Sequence, residues 1–198
     1  RVINGPGLTG IAYISLHGIA ATQLARCEAF LRPIRAAREA RNAAMVVRLN
    51  GLLAHQGPPA LDYATDVRGA SMAAEGGSVT ERHLLAALSR TLLSAFGTGF
   101  SLVSALEDRL GIPLGGAIRG YLLDPENPHY LYDLLGVLKA HYTDAFFIHP
   151  DHTECPHVSE ALAFSDSIGA ISAYAYLGDV TASPTGDKKA ERFEDEVL

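Results

Sequence analysis

Three histidines, an aspartate, a glutamate and a cysteine fall within the nine residues His149-Pro150-Asp151-His152-Thr153-Glu154-Cys155-Pro156-His157. Neutral imidazole nitrogen and anionic carboxylate oxygen together suit a borderline dication such as Zn, Mn or Fe. A metal held this way polarises a phosphoryl or carbonyl oxygen and lowers the pKa of a bound water. The bland alternative for the same residues is a polar surface loop that happens to be rich in histidine. His149 and His152 are the imidazole candidates, both as metal ligands and as catalytic groups. Glu154 is the nearest carboxylate candidate, and His157 is read as pointing along the outer face of the next helix. Cys155 is open to two readings, thiolate ligand or nucleophile. With no C-x-x-C pair in the chain, covalent catalysis is not assigned to it.

The elements that must position this cluster follow from its flanks. The short apolar run Ala145 to Ile148 reads as a buried strand, and Pro156 stands where a helix would start. The cluster then occupies a loop after a strand and before a helix, where α/β barrels and open α/β sheets gather catalytic groups. Gly10 to His17 has strand character and ends in His17. Ala170 to Leu177 is strongly strand-like and ends at Gly178-Asp179. If these strands run parallel, His17, the His149–His157 loop and Asp179 share one edge of the sheet, which makes His17 and Asp179 further metal-ligand candidates. The alternation helix, strand, helix, strand, helix in the C-terminal half argues for parallel βα units with right-handed crossovers.

The rest of the chain reads as mostly helical. Thr22 to Leu53 has a helical pattern, broken or kinked near Pro33. Its stripe is Leu24, Cys27, Leu31 and Ile34. Arg26, Arg32, Arg35, Arg38, Arg41 and Arg48 form either a solvated face salted with Glu28 and Glu39 or a basic rim for an anionic substrate. Gln56 to Gly77 is loop-rich. Ser78-Val79-Thr80-Glu81 fits a capping box, with Ser78 as N-cap and Glu81 at N3. Helices are expected after it, then over Phe100 to Leu110, His129 to Tyr142, Val158 to Ile168 and from Lys188 onward. Two helix starts could meet an anion: Glu81-Arg82-His83, where Arg82 would add a fork to a phosphate, and Asp187-Lys188, where Lys188 would reach one. The glycine pairs do not match phosphate-loop spacing.

Composition bounds the function classes. A chain of 198 residues, 48% apolar, can bury one sizeable core. A formal charge of −6 leaves no basic excess to neutralise nucleic-acid phosphates. The only cysteines, Cys27 and Cys155, make no disulfide framework, so a reducing cytoplasm is expected. No apolar run approaches the ~20 residues of a membrane span. The chain starts at Arg1 and stops at Leu198 within an amphipathic pattern, which leads to the expectation of an internal fragment.

Several stretches resemble a bacterial branch of the polymerase and histidinol phosphatase (PHP) domain proteins. They are Asn127-Pro128-His129-Tyr130, Tyr132 through Lys139, Glu154-Cys155-Pro156, Ala173 through Val180, Thr185-Gly186-Asp187-Lys188-Lys189 and Phe193-Glu194-Asp195. Gly10 to Gly18 and Gly76 to His83 continue the likeness more weakly, so that it covers most of the chain. The resemblance implies an irregular (β/α) barrel that binds metals through His, Asp and Glu at the C-terminal strand ends and hydrolyses phosphate esters. The His-x-His pair typical of the superfamily is absent, as is the closing Asp-x-His, since Val180 and Thr181 follow Asp179. Either those motifs lie outside this chain, or the branch has lost the metals.

The expectation is therefore an α/β chain forming part of a distorted (β/α) barrel of the PHP or metal-dependent hydrolase type, open because truncated. It would be a single partial domain over 1–198 with a helical insertion around 55–142. The expected activity is phosphate-ester hydrolysis by a metal-activated water, with His17, His149, His152, Glu154 and Asp179 around a divalent metal. Arg82 or Lys188 would neutralise a small anionic substrate. The alternative is a non-catalytic barrel that binds an anionic sugar or metabolite.

Overall fold

A computed structural model describes residues 12–175. The order is β1 (Ile14–His17), α1 (Leu24–Leu53), α2 (Glu81–Phe96), α3 (Phe100–Ser104), α4 (Gly116–Leu123), α5 (Tyr130–His141), α6 (Thr143–Phe146), α7 (Val158–Ser167) and β2 (Ile171–Tyr174). Short 3-10 or π-helical turns fill Ala21–Gln23, Tyr63–Arg68, Met72–Glu75 and Ala105–Arg109. The described residues are thus mostly helical, with a sheet of two strands, and the expected (β/α) barrel is overturned. Two local readings produced that expectation. First, Ala145 to Ile148 is not a strand: α6 ends at Phe146, and Phe146 is fully buried. A short apolar run fits a buried helix turn as well as a buried strand, and periodicity does not separate them. Second, β1 and β2 pair antiparallel, with Ile14 opposite Tyr174 and His17 opposite Ile171. Without parallel strands there is no βα repeat to close into a barrel.

The chain divides into two compact units, residues 12–38 with 149–175, and residues 39–148. Helix α1 begins in the first and ends in the second. It runs through Pro33 without a break. Pro33 is exposed, so its ring meets solvent, and neighbouring side chains anchor the helix before it: Phe30 stacks on Phe164 with centroids 4.2 Å apart.

In the first unit α7 packs on the strand pair. Its end is closed twice. Ser165 Oγ donates to the Ala170 carbonyl at 3.1 Å, and the Arg26 guanidinium donates to the Ser167 carbonyl and Oγ, both at 2.9 Å. A cation at a helix C-terminus complements the dipole.

The second unit carries a leucine-rich helical core. Met45, Val46, Leu49 and Leu53 recur at helical spacing on α1, Leu84, Leu85, Leu88 and Leu92 on α2, and Leu134, Val137 and Leu138 on α5. Tyr130 ties α3 to α4: its hydroxyl accepts from the Gly99 N–H at 2.8 Å and donates to the Leu122 carbonyl at 2.7 Å. Helix α2 starts two residues later than expected. Thr80, not Ser78, is the N-cap, and position N3 is His83, not Glu81. Val79 explains the shift, because it is buried and its carbonyl accepts from Asn42 Nδ2 at 3.0 Å, which keeps the chain extended up to Thr80. Helix α4 was not expected from its glycine-rich start. Among the described residues no helix is long and apolar enough to cross a membrane.

Candidate functional site

The His-rich segment has no regular structure and is ordered by its own polar groups. The Asp151 carboxylate accepts from the Thr153 N–H at 2.9 Å and the Thr153 hydroxyl at 2.5 Å. The Asp151 carbonyl accepts from the N–H groups of Glu154 and Cys155 at 3.2 and 2.8 Å. This is the Asx-turn chemistry that favours Asp in tight loops. The Thr153 hydroxyl and then its N–H hold the Asp151 carboxyl below its ordinary value, with a smaller contribution from His152, so Asp151 is an anion at neutral pH.

The turn separates the loop's donors. His149, His152 and His157 are exposed, whereas Glu154 points inward and is buried. Its Oε1 accepts from Arg38 Nε at 2.8 Å, and its side chain is 4% exposed against 35% for Arg38. A charge-assisted bond to a buried carboxylate is among the stronger single contacts available to a loop. The partner of Glu154 is therefore a guanidinium, where the sequence suggested a dication. His157 takes the N-cap of α7. Its Nδ1 lies 3.3 Å from the Ser159 N–H that it accepts from and 2.8 Å from the Ser159 hydroxyl. A ring used in this way does not run along the outer helix face.

Other candidate residues lie on other elements. His17 is exposed at the end of β1, with Nε2 3.0 Å from Ser15 Oγ. The antiparallel register sets it beside Ile171, the first residue of β2, so the ends of the two strands lie at opposite edges and the shared edge is lost. Asp179 and Lys188 lie outside the described residues. Arg82 is exposed in the first turn of α2, within the second unit. At that helix start the Thr80 N–H donates to His83 Nδ1 at 3.1 Å. Cys27 is buried and Cys155 is half-buried. Among the described residues no group of three or more His, Cys, Asp or Glu is placed to hold a metal ion.

Sequence reasoning named the arginines of α1 as a solvated face or a basic rim, but not the partners of Arg38, Arg41 and Arg48. Arg35 pairs with Glu28 at 2.8 Å on the surface, as a solvated face would. Arg38 takes Glu154. Within the second unit, Arg41 donates to the Ile148 carbonyl at 3.0 Å and lies over the Phe147 ring, while Arg48 donates to the Phe147 carbonyl at 3.4 Å. Three arginines of α1 thus hold the His-rich loop and the residues leading into it. Their spacing of three and seven, which puts 38, 41 and 48 on one side of a helix, was the available signal. A second polar cluster also went unread. The Tyr63 hydroxyl donates to Glu39 Oε2 at 2.7 Å, and Arg68 Nε lies 3.3 Å from the same oxygen. Burial, followed by the Glu39 carboxylate, pushes the Tyr63 hydroxyl above its ordinary value. No protein-family model, curated protein or solved structure matches the chain.

Proposed function

We propose that this chain belongs to a metal-dependent hydrolase acting on a phosphate ester. The observation that carries the reading is the loop itself, a short pinned turn that exposes His149 and His152 on either side of an ionised Asp151. The likeness to PHP-domain proteins, stated from the sequence, supports the same chemistry. The donor set of imidazoles and carboxylates fits a borderline dication in kind, although fewer than three such groups gather among the described residues. His149 and His152 would supply neutral nitrogen, and the turn formed by Asp151 and Thr153 would keep both imidazoles presented to solvent. A bound dication would contribute Lewis acidity and a water of lowered pKa.

The test uses the whole chain loaded with Mn or Zn and then desalted. Metal content is measured alongside phosphate release from a panel of phosphate monoesters. Retained metal with phosphate release is expected, and His149→Ala and His152→Ala should each lower the rate by about 10²-fold or more. A chain that retains no metal and releases no phosphate rejects the hydrolase.

One observation favours a second reading, a non-catalytic module that binds an anionic metabolite: the buried carboxylate of the loop already has a protein cation, Arg38. Binding of sugar phosphates without metal and without turnover would select it.

A further inference from the structure

We propose that the adjoining ends of α3, α4 and α5, all in the second unit, form a docking face for an arginine-bearing segment of a partner protein. Two side chains gather those ends. The Tyr130 hydroxyl joins the Gly99 N–H, at the start of α3, to the Leu122 carbonyl, near the end of α4. Asn127 Nδ2 donates to the Tyr121 carbonyl at 3.1 Å and to Asp133 Oδ2 at 2.7 Å, which ties the end of α4 to the first turn of α5. On these ends three aromatic rings stand in water: Phe100 is 72% exposed, Tyr121 56% and Tyr132 75%. A single exposed apolar side chain is ordinary, whereas several large rings on elements that meet mark an interaction surface. Rings so exposed add little to the core, and a partner buries them at low entropic cost, because each has only two side-chain torsions.

The charge around the rings decides what the partner carries. Asp124, Glu126 and Asp133 lie in and beside the turn between α4 and α5, and among the described residues no Arg or Lys pairs with them. The only Arg or Lys between residues 98 and 135 are Arg109 and Arg119. Both are engaged elsewhere: Arg119 pairs with Glu107 at 3.0 Å, and Arg109 lies over the Phe96 ring at 5.3 Å. A complementary partner therefore needs positive charge on a group that also stacks on a ring. Guanidinium does both, because it is planar and weakly hydrated and offers a fork of donors to a carboxylate. An ammonium brings the charge as a compact, strongly hydrated point, and an apolar segment leaves the acids without a partner. The turn is also built in advance. Asp124 Oδ1 accepts from the Glu126 N–H at 3.0 Å and Asn127 Oδ1 from the His129 N–H at 2.9 Å, so little ordering is left for binding to offset.

The experiment is calorimetric titration of a short oligo-arginine peptide, and of an oligo-lysine peptide of the same length, into the whole chain at physiological salt. Backbone NMR shifts locate the contact. Oligo-arginine should bind about tenfold more tightly than oligo-lysine, and it should move the amide resonances of Phe100, Tyr121, Glu126 and Tyr132. Phe100→Ser with Tyr132→Ser, and separately Asp124→Asn with Glu126→Gln, should each weaken binding by about tenfold or more. All four side chains are exposed, so the fold should survive, with circular dichroism as the check. Glu160→Gln, at an exposed acid of α7 in the first unit, should change nothing. Equal affinity for the two peptides, shifts spread over other acidic surface, or binding that survives loss of both rings shows charge attraction alone and overturns the proposal. The absence of binding overturns it too. So does a dimer of the free chain, seen by light scattering, that Phe100→Ser with Tyr132→Ser dissociates, because the face then belongs to a second copy.

Discussion

Arg38 Nε and Glu154 Oε1, separated by 116 residues in sequence, meet at 2.8 Å. This contact ties the first unit's share of α1 to the loop that carries the candidate imidazoles. The two side chains are unequal in exposure, and that asymmetry governs what their removal should cost.

Arg38→Met should destabilise the chain by about 2–3 kcal/mol. That is below the ~3–5 kcal/mol of a fully buried pair, because Arg38 is partly hydrated. Glu154→Gln should cost less, since the amide that replaces the carboxylate is uncharged and strands no buried charge. Urea denaturation of both variants measures the difference. Equal losses would mean that packing, not charge, dominates at this site.

The Asp151 turn should be insensitive to mild acid. Hydrogen bonds from Thr153 favour the carboxylate, so its folded value lies below the unfolded one. The stabilisation is fully present above the ordinary aspartate value near ~3.9, and is lost as pH falls through the lower folded value. The Thr153 amide resonance should hold its position from neutral pH to about 4 and move only below it. Asp151→Asn, which keeps an acceptor oxygen, should keep the turn and abolish that movement.

Tyr130→Phe should cost about 1–3 kcal/mol in the second unit. The change removes one hydroxyl but leaves two backbone partners, the Gly99 N–H and the Leu122 carbonyl, without it. Thermal unfolding followed at the helical signal reads the loss. A neutral result would mean that water satisfies both groups.

Pro33→Ala should stabilise the chain by about 2 kcal/mol, recovering part of the ~3 kcal/mol that proline costs inside a helix. The position is exposed and lies within α1, so alanine meets no neighbour it could disturb. A destabilised variant would show that the ring is packed or that its rigidity matters more than the missing N–H.

Much of the local structure was legible in the residues. Apolar spacing located α2, α5 and α7 to within about two residues, and β-branched and aromatic runs located the strands β1 and β2. Those signals are carried by neighbours in sequence, which is why they could be read. The loop from His149 to His157 is legible as a polar connection before a helix, since Asp151 and Thr153 set its turn and the His157 side chain caps the helix that follows, all by local hydrogen bonds.

What the sequence did not carry was the direction of pairing and the choice of partner. Strand character says nothing about whether Ile14 faces Tyr174 in parallel or antiparallel order, and the antiparallel answer removed the barrel. The run from Ala145 to Ile148 was equally apolar as strand or helix, and burial of Phe146 in the second unit's core decided it. Arg38 and Glu154 each had nearer opposite charges in sequence. Only the folded chain brings that guanidinium to that carboxylate, because the energy of a charge depends on what surrounds it in space rather than what precedes it along the chain.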